Sequence, residues 1–283
     1  MSNRLDFLRS TQNADGGWGF FPGKQSWLEP TAYALMALHG DSSARPSLER
    51  GWKLMRSWQL ADGSWKPCAA VAEPHWTTSL CVTLHALNGV HDEAFRRGVN
   101  WLLASAGIEN GLKFRIAHFL RPSIVELDPS FKAWPWRPGN SSWIEPTTHA
   151  LVALKKAAQF GDRRAEIGER IRMGESMILE RRCSDGGWNY GNRKVLGTEL
   201  PSYPETTALA LVGLIGNGDN LSAPLTLAQR YLTETRSPLA KAWLSIALRG
   251  HSVKISLPSP DSLAANDVLI NALQILAGTG AFA

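Results

Sequence analysis

Three glutamates at recurring positions of the sequence are the side chains best suited to acid chemistry. Glu29 and Glu145 are each followed by Pro-Thr, and Glu205 stands between Pro204 and two threonines. Burial and a nearby like charge both raise the pKa of a carboxyl, and a raised pKa suits a general acid at neutral pH. We therefore predict Glu29, Glu145 and Glu205 as catalytic acids at one end of the fold. The alternative is that each glutamate only complements the positive end of a helix.

Aromatic side chains near these glutamates could stabilise the positive charge that protonation of a substrate creates, because ring faces attract cations by about 0.5–2 kcal/mol each. One column of the pattern, just ahead of apolar segments, holds four predicted ligand contacts: Trp27, Trp76, Trp143 and Tyr203. Tyr33 and His149 each lie four residues beyond a glutamate, on or near the same helix face. We predict Tyr33 as a ligand contact and His149 as a catalytic group, the alternative being a buried histidine with satisfied hydrogen bonds.

The sequence predicts neither a metal nor a cofactor. Zinc needs three or four ligands at workable spacing, whereas Cys68, Cys81 and Cys183 are far apart and form no CxxC pair. A P-loop and a DDxxD motif for diphosphate are also absent from the sequence. The expected site therefore relies on carboxyl and aromatic side chains alone.

Composition indicates an ordinary globular protein. Of the 283 residues, 44% are hydrophobic and 19% are charged, which excludes a disordered chain. The net charge of +5 comes from scattered Lys and Arg, so nucleic acid is not an expected partner. Residues 1–17 have no apolar stretch typical of a secretory signal, which favours a cytoplasmic location. The pair Phe20 and Phe21 leaves a peripheral membrane contact open.

A repeated motif separates the segments that must position the candidate residues. Gln12–Trp18 reads QNADGGW, Gln59–Trp65 reads QLADGSW, and Arg182–Trp188 reads RCSDGGW. The Asp-Gly pair in each copy favours the end of a helix, because glycine adopts the left-handed conformation that such an end requires. A motif that recurs in this way along the chain indicates an array of similar structural units.

Two kinds of helix alternate between the motifs. Amphipathic segments with one polar face are predicted as outer helices: 47–59, 94–104 and 166–181. Segments that are apolar on all sides are predicted as buried inner helices: 31–38, 80–87, 150–154 and 208–214. Weaker helical segments follow at 224–234, 238–248 and 264–277. Hairpins of this kind cannot bury their inner faces alone, so we predict a single all-α domain over residues 1–283 that closes as a ring of hairpins.

One segment of the predicted ring, 105–140, is longer than its counterparts. It contains four prolines and the pair Trp134 and Trp136. A long insertion at one end of a rigid scaffold is more often a lid or a binding loop than a spacer. We therefore predict Trp134 and Trp136 as further ligand contacts.

The motifs resemble those of the prenyltransferase and squalene-oxidase repeat family, which includes squalene–hopene cyclases and the β subunits of protein prenyltransferases. The resemblance rests on the full motifs Gln12–Trp18 and Gln59–Trp65 and on helix openings such as Glu29-Pro30-Thr31-Ala32. It implies an (α/α)6 toroid in which the motif Gln and Trp brace neighbouring outer helices. Class II terpene cyclases of this kind carry a DxDD motif, which is absent here; alignment on Thr-Ala places Glu29 at its central Asp. The zinc ligands of the prenyltransferase branch have no counterpart either.

Three functions are consistent with the sequence. The leading hypothesis is a terpenoid-cyclase-like protein that binds an isoprenoid or other long apolar ligand in a central cavity, with acid-initiated cyclisation. The second is a non-catalytic scaffold or lipid-binding protein that has lost the acidic motif. The third is a carbohydrate enzyme, because (α/α)6 barrels also host glycosidases with two catalytic carboxylates. A partner subunit and the oligomeric state stay open.

Overall fold

The computed structural model describes residues 2–120, 128–195, 197–256 and 266–282. Its α-helices are α1 (Ser2–Ser10), α2 (Leu28–Leu38), α3 (Arg45–Ser57), α4 (Thr78–Leu87), α5 (Glu93–Ala104), α6 (Leu112–Leu120), α7 (Ile144–Gln159), α8 (Ala165–Glu180), α9 (Pro204–Gly213), α10 (Ser222–Glu234), α11 (Pro238–Gly250) and α12 (Val268–Leu276). Two short strands, β1 (Lys194–Val195) and β2 (Thr198–Glu199), form an antiparallel hairpin. Single 3-10 turns occupy Ser42–Ala44 and Ile108–Asn110.

Six of these helices form a closed inner ring. In order around it, α2 contacts α4, α4 contacts α7, α7 contacts α9, α9 contacts α11, and α11 contacts α12, which returns to α2. Ten of the eleven residues of α2 and nine of the ten residues of α4 are buried. A helix that is apolar on all sides is stable only when neighbours cover every face. The inner helices predicted from the sequence therefore lie where their composition requires.

Five helices cover the outside of the ring. Helix α1 packs against α2 and α12, α3 against α2, α5 against α4 and α7, α8 against α7 and α9, and α10 against α9 and α11. The predicted all-α ring of alternating outer and inner helices is confirmed. The last predicted helix, 264–277, begins later, at Val268; residues 264 and 265 lie outside the described residues.

A buried tryptophan joins each of four outer helices to the next inner helix. The indole Nε1 donates to a carbonyl oxygen of the outer helix at 2.6–2.9 Å. The tryptophan backbone N–H donates to a threonine hydroxyl of the inner helix at 2.9–3.2 Å. The four joint pairs are Trp18 with Thr31, Trp65 with Thr78, Trp134 with Thr147, and Trp188 with Thr207. Because both bonds are buried, each joint holds the start of an inner helix in a defined place.

The motif glutamines connect successive outer helices. The Gln12 side-chain amide donates to the Gly16 carbonyl and to the Ser47 carbonyl in α3, both at 2.8 Å. The Gln59 amide does the same with the Gly63 carbonyl and with the Ala94 carbonyl in α5. Each glutamine thus ties the end of one outer helix to the start of the next.

Two insertions interrupt the regular repeat. Trp134 bonds to a carbonyl 32 residues earlier in the chain, whereas the other three joint tryptophans reach back ten. Thr207 lies 19 residues after its tryptophan, whereas the other joint threonines lie 13 residues after theirs. The first insertion carries α6 and falls within the predicted segment 105–140, of which residues 121–127 lie outside the described residues. The second carries the β1–β2 hairpin.

Both insertions lie at the end of the ring where the inner helices begin, which we call the mouth. Backbone hydrogen bonds link the start of each of several inner helices to the loop before a neighbouring one, as between the Ile144 N–H and the Tyr190 carbonyl and between the Val268 N–H and the Phe20 carbonyl. Among the described residues, no helix combines the length and the apolar character needed to cross a membrane.

Candidate active site

The joint threonines give the inner helices a common register, and this register defines a layer of side chains at the mouth. Two residues before the threonines, α2, α7 and α9 carry Glu29, Glu145 and Glu205, and Trp76 stands at this place just ahead of α4. The equivalent positions of α11 and α12, counted from the N-caps Ser237 and Asp267, hold Leu239 and Leu269. All three glutamates are partly exposed, so they face space that a ligand can reach. The fold brings the three carboxyls to one layer, although Glu29 and Glu205 are 176 residues apart in the chain.

Trp76 departs from the predicted column. The N-cap positions of α2, α7 and α9 hold the other members of that column: Trp27, Trp143 and Tyr203. Trp76 lies two residues before Thr78, and the hydrogen bond from the Trp65 backbone N–H to the Thr78 hydroxyl fixes this register. The single-column prediction is therefore wrong for Trp76, which occupies the position that the glutamates hold in other helices.

The carboxyls at the mouth are held towards their protonated forms. Burial raises the pKa of Glu29 from 4.5 to about 7, and the charges of Glu205 and Asp267 add to this. Burial raises the pKa of Glu145 to about 8, with further contributions from Glu29 and Glu205. The pKa of Glu205 is also raised by burial. A helix N-terminus favours an ionised carboxyl by only about 0.3–1 kcal/mol, less than one pKa unit, so burial and mutual repulsion outweigh it.

Five aromatic side chains fill the centre of the ring beneath this layer, and we call them the aromatic floor. The floor consists of Tyr33, Trp76, His149, Trp243 and Phe282, each at most 5% exposed. The Tyr33 Oη lies 3.3 Å from the His149 Nε2, and the Trp243 ring centre lies 5.9 Å and 5.6 Å from those of Tyr33 and His149. Trp76 packs 4.9 Å from His149, and Phe282 packs 5.6 Å from Trp243. A ligand that reaches the glutamates therefore lies on the mouth side of the floor.

The polar groups of the floor are neutral at neutral pH. Burial lowers the pKa of His149 to about 3, so the imidazole carries no charge. Burial raises the pKa of Tyr33 well above its usual range, and the charges of Glu29 and Glu145 raise it further. The contribution of Glu29 and Glu145 to this pKa means that the Tyr33 phenol lies within electrostatic reach of two mouth carboxyls. Tyr33 and His149 are thus brought together by the fold, with Tyr33 as the partner of the histidine.

The other predicted ligand contacts lie around the rim of the mouth. Trp136 is partly buried, its ring centre lies 5.4 Å from that of Trp76, and its carbonyl accepts a hydrogen bond from the Trp76 N–H. Trp27 is partly buried against Phe20, at 6.2 Å between ring centres. Trp143 and Tyr203 are 37% and 44% exposed. These rings present apolar surface next to the carboxyls.

A separate cavity of about 680 Å³ lies at the opposite end of the ring. Its walls include Met36 at the end of α2, Leu87 at the end of α4, Ile275 in α12 and the segment 279–281. The aromatic floor lies between this cavity and the glutamates. A ligand held there does not reach the mouth carboxyls.

Comparison with known proteins supports the fold. No family model matches the sequence. A curated relative, drimenyl diphosphate synthase of Streptantibioticus cattleyicolor, is 40% identical over 60 residues; the match covers 21% of this chain and 11% of the relative's length. A variant of the type II terpene cyclase MstE from Scytonema, in complex with geranylgeranyl dihydroxybenzoate, matches 98% of this chain and 78% of its own at 16% identity and a TM-score of 0.56. Endoglucanase Cel10 of Klebsiella pneumoniae, a family 8 glycosyl hydrolase, matches 99% of this chain and 98% of its own at 13% identity and a TM-score of 0.64.

The chain is an α/α toroid. The two solved structures are less than 25% identical to it, so they establish the architecture, which terpene cyclases and glycosidases share. In this toroid the inner helices carry the candidate chemistry at their first turns. The loops that precede them, including both insertions, form the rim.

Trp134 lies in a joint of the toroid and not at the rim. It is 2% exposed, its Nε1 donates to the Leu102 carbonyl at 2.8 Å, and the Arg170 guanidinium lies 4.2 Å from its ring centre. The sequence analysis assigned it to ligand contact because it lies in the long insertion, and the neighbouring sequence lacks the Asp-Gly signal that marks the other joints. Its contacts give it the role of Trp18, Trp65 and Trp188.

Several residues of the site escape sequence reasoning. Trp243 stands six residues after the N-cap of α11, as Tyr33 and His149 do after the N-caps of α2 and α7, and this shared offset is a signal that could have found it. Phe282 has no such signal, because only the path of the chain beyond α12 brings it into the ring. Tyr190 reaches the rim from the loop after Trp188.

The arrangement combines a proton donor with apolar surface. Within the described residues, no group of three or more His, Cys, Asp or Glu side chains is arranged to hold a metal ion. The mouth offers a carboxyl, that of Glu145, which keeps its proton at neutral pH because its pKa is raised to about 8, and aromatic rings lie below and beside it. Such a site can protonate a substrate and accommodate the positive charge that results.

Proposed function

We propose that the mouth of the toroid protonates an isoprenoid-type substrate and so initiates its cyclisation. The observation that carries the proposal is the convergence of Glu29, Glu145 and Glu205 above the aromatic floor, with the pKa values of Glu29 and Glu145 raised to about 7 and 8. A carboxyl that is still protonated at neutral pH can act as a general acid. The apolar floor favours a hydrocarbon next to it.

The comparisons support this choice of substrate class. The segment of local identity belongs to a drimenyl diphosphate synthase, and MstE carries the same architecture with an isoprenoid-substituted benzoate as its substrate. The synthase is related to this chain only by a local sequence match, and MstE only by its fold. The substrate of this chain is therefore part of the proposal.

Glu145, whose pKa is the higher, is the proposed donor. Its O–H proton adds to a terminal alkene carbon, the π electrons form the new C–H bond, and a tertiary cation and a carboxylate result. The next double bond attacks the cation and closes a ring. The rings of Trp76 and Trp136 stabilise the charge by about 0.5–2 kcal/mol each. Loss of a proton from the final cation restores a double bond, so the product is an isomer of the substrate and Glu145 regains its proton from solvent.

The test is incubation with C15 and C20 prenyl diphosphates, prenylated benzoates and squalene, followed by analysis for isomeric products. Product should form with the native chain and fall at least about 100-fold in Glu145→Gln, because the variant has no proton to give. Glu234→Gln, on the exposed surface of α10, is the matched control and should retain full turnover. Binding without any product would favour the non-catalytic lipid-binding alternative, and absence of binding would refute the proposal.

Glycoside hydrolysis is a second candidate, favoured by a specific feature of the same mouth. A pKa near 7 suits protonation of a glycosidic oxygen, and Trp143 and Tyr203 expose ring faces on which a sugar could stack. Cel10 shares the toroid architecture. Release of reducing sugar from carboxymethylcellulose or xylan, lost in Glu29→Gln, would establish this candidate in place of the first.

A peripheral membrane contact belongs to the proposal because the substrates are apolar. Helix α6 exposes at least half of four apolar side chains, Leu112, Ile116, Phe119 and Leu120. Its sequence also carries Lys113 and Arg115, which suit anionic headgroups. Co-sedimentation with phosphatidylglycerol vesicles should be reduced by Phe119→Asp and unaffected by Phe160→Asp, at an exposed site after α7.

A further inference from the structure

A small aromatic pocket opens beside the mouth and is separate from the layer of glutamates. Its volume is about 270 Å³. It is lined by Trp143, Asn189, Tyr190, Gly191, Asn192, Val195, Leu200 and Tyr203. None of the three mouth glutamates is among these residues. The pocket thus presents a surface that the acid chemistry does not use.

Three aromatic rings dominate the walls of the pocket. Trp143, Tyr190 and Tyr203 are 37%, 48% and 44% exposed, although large aromatic side chains in a toroid of this size are mostly buried. The ring centres of Tyr190 and Tyr203 lie 5.5 Å apart at an angle of 36°. Gly191 packs against the indole of Trp143, where a Cβ atom would come within 3.1 Å of the ring. These neighbours hold the rings in place while leaving their faces accessible.

The second insertion creates this pocket. The six extra residues between Trp188 and Thr207, relative to the other repeats, carry the β1–β2 hairpin. Val195 of β1 and Leu200, just after β2, line the pocket together with the N-cap residues Trp143 and Tyr203. The Leu200 N–H donates to the Arg193 carbonyl at 2.8 Å, which closes the hairpin. The regular repeat has no segment that could supply this part of the lining.

The side chains that line the pocket carry no positive charge, and the basic residues Arg193 and Lys194 of the hairpin lie outside the lining. Its lining contains no Lys, Arg or His. Burial raises the pKa of Tyr190, and the charges of Glu205 and Glu145 raise it further, so these two glutamates add negative charge beside the pocket once they ionise at alkaline pH. Aromatic faces are themselves the negative regions of the rings. A cation that enters the pocket thus meets favourable potential from the rings and, at mildly alkaline pH, from the carboxylates.

We propose that this pocket binds an organic cation of the quaternary ammonium type, such as a trimethylammonium group. Such a group has no N–H to donate, so ring faces and methyl contacts suit it better than hydrogen-bonding side chains do. A volume of 270 Å³ accommodates one such headgroup with room for a chain that leaves through the open side. The inference does not depend on the proposed cyclisation, because it needs neither the acid Glu145 nor the aromatic floor, although the pocket shares Trp143 and Tyr203 with the rim of the mouth.

The test is titration calorimetry with choline and with 3,3-dimethylbutan-1-ol, its uncharged isostere, at constant ionic strength and mildly alkaline pH. Choline should bind at least about tenfold more tightly than the alcohol, because cation–π attraction acts only on the charged ligand. Trp143→Ala and Tyr203→Ala should each weaken choline binding about tenfold, whereas Tyr203→Phe, which keeps the ring face, should preserve it. Phe160→Ala, beyond the other end of α7, is the control and should leave affinity unchanged.

Several outcomes would overturn the proposal. Equal affinity for choline and its isostere would make the pocket a simple apolar site. Tighter binding of methyl glucoside than of choline would make it a sugar subsite. Choline binding that survives both alanine variants would place the cation elsewhere. All these measurements are of binding and need no turnover. The proposed ammonium site can therefore be refuted while the cyclisation proposal stands, and the cyclisation proposal can be refuted while the ammonium site stands.

Discussion

Tyr33 and His149 meet at the centre of the ring, with the tyrosine Oη 3.3 Å from the histidine Nε2, although 116 residues separate them in the chain. The pair joins α2 to α7 directly below two of the mouth glutamates. Both side chains are 1% exposed, so neither group can satisfy its hydrogen bonds with water. The contact therefore spans the centre of the ring and forms part of the surface on which a substrate would rest.

Tyr33→Phe should lower the free energy of unfolding by about 1–3 kcal/mol, because it removes the buried partner of His149. Urea unfolding monitored by circular dichroism measures the change. Tyr231→Phe, which removes a hydroxyl that bonds to Ser202 at a partly buried site, is the comparison and should cost less. An equal effect of the two variants would contradict a special role for the central pair.

Glu145→Gln should make the toroid less sensitive to alkaline pH. Because the pKa of Glu145 is about 8 in the folded state and near 4.5 when unfolded, the folded state binds more protons between these values. Stability contributed by the protonated form is therefore lost as the pH rises through this window. Between about pH 5 and pH 8.5, the free energy of unfolding of the variant should increase relative to that of the native chain by on the order of 2 kcal/mol. This is less than the whole pKa shift of Glu145 would give, because the neighbouring carboxyls share the titration. Parallel urea titrations at the two pH values measure this, and Glu234→Gln should show no such gain.

Turnover of any protonated substrate should fall as the pH rises past about 8, since the acid then loses its proton. The falling limb should move to lower pH in Glu29→Gln, because this change removes a negative neighbour that raises the pKa of Glu145. The pH dependence of kcat/KM for the native chain and the variant is the measurement. A profile that is flat to pH 10 would show that none of these carboxyls is the acid.

Trp134→Phe and Trp143→Phe should separate structural from ligand-binding tryptophans. The first loses the buried hydrogen bond to the Leu102 carbonyl and should destabilise the fold by about 1–3 kcal/mol. The second changes a side chain that is 37% exposed and should alter stability by less than about 0.5 kcal/mol. Thermal unfolding of the two variants checks the difference. Similar loss of stability in both would contradict the joint position of Trp134.

Gly63→Ala should be more damaging than Gly186→Ala at the same place in the motif. Both glycines have positive φ, +93° and +95°, so both variants carry left-handed strain of about 1–2 kcal/mol. A Cβ on Gly63 would also lie 2.6 Å from the Arg97 carbonyl oxygen in α5, whereas a Cβ on Gly186 meets none of the described residues within 4 Å. The first variant should therefore lose about 1–3 kcal/mol more, measured by urea unfolding. Equal losses would show that successive repeats are not in close contact there.

The alternation of outer and inner helices could be predicted because it depends on local composition. The inner segments are apolar on every side and the outer ones on a single face, and each pattern is stable in only one kind of surroundings. The glutamate positions could be predicted for the same reason, because Pro and Thr mark the first turn of each inner helix. The register of Trp76 could not, since it depends on the hydrogen bond between Trp65 and Thr78.

The sequence by itself determined most helices of this protein, although not α1 or α6, together with their ring-forming alternation. It also determined the placement of Glu29, Glu145 and Glu205 at helix starts, because these features follow from periodicity and from signals within a few residues. Only the tertiary structure decided that burial raises the pKa of all three carboxyls and that Glu29 and Glu205 raise that of Glu145 further. It also decided that Trp134 is a joint and that Trp243 and Phe282 complete the aromatic floor. These properties depend on distances between segments far apart in the chain. Such distances arise only when the ring closes and α12 returns to α2.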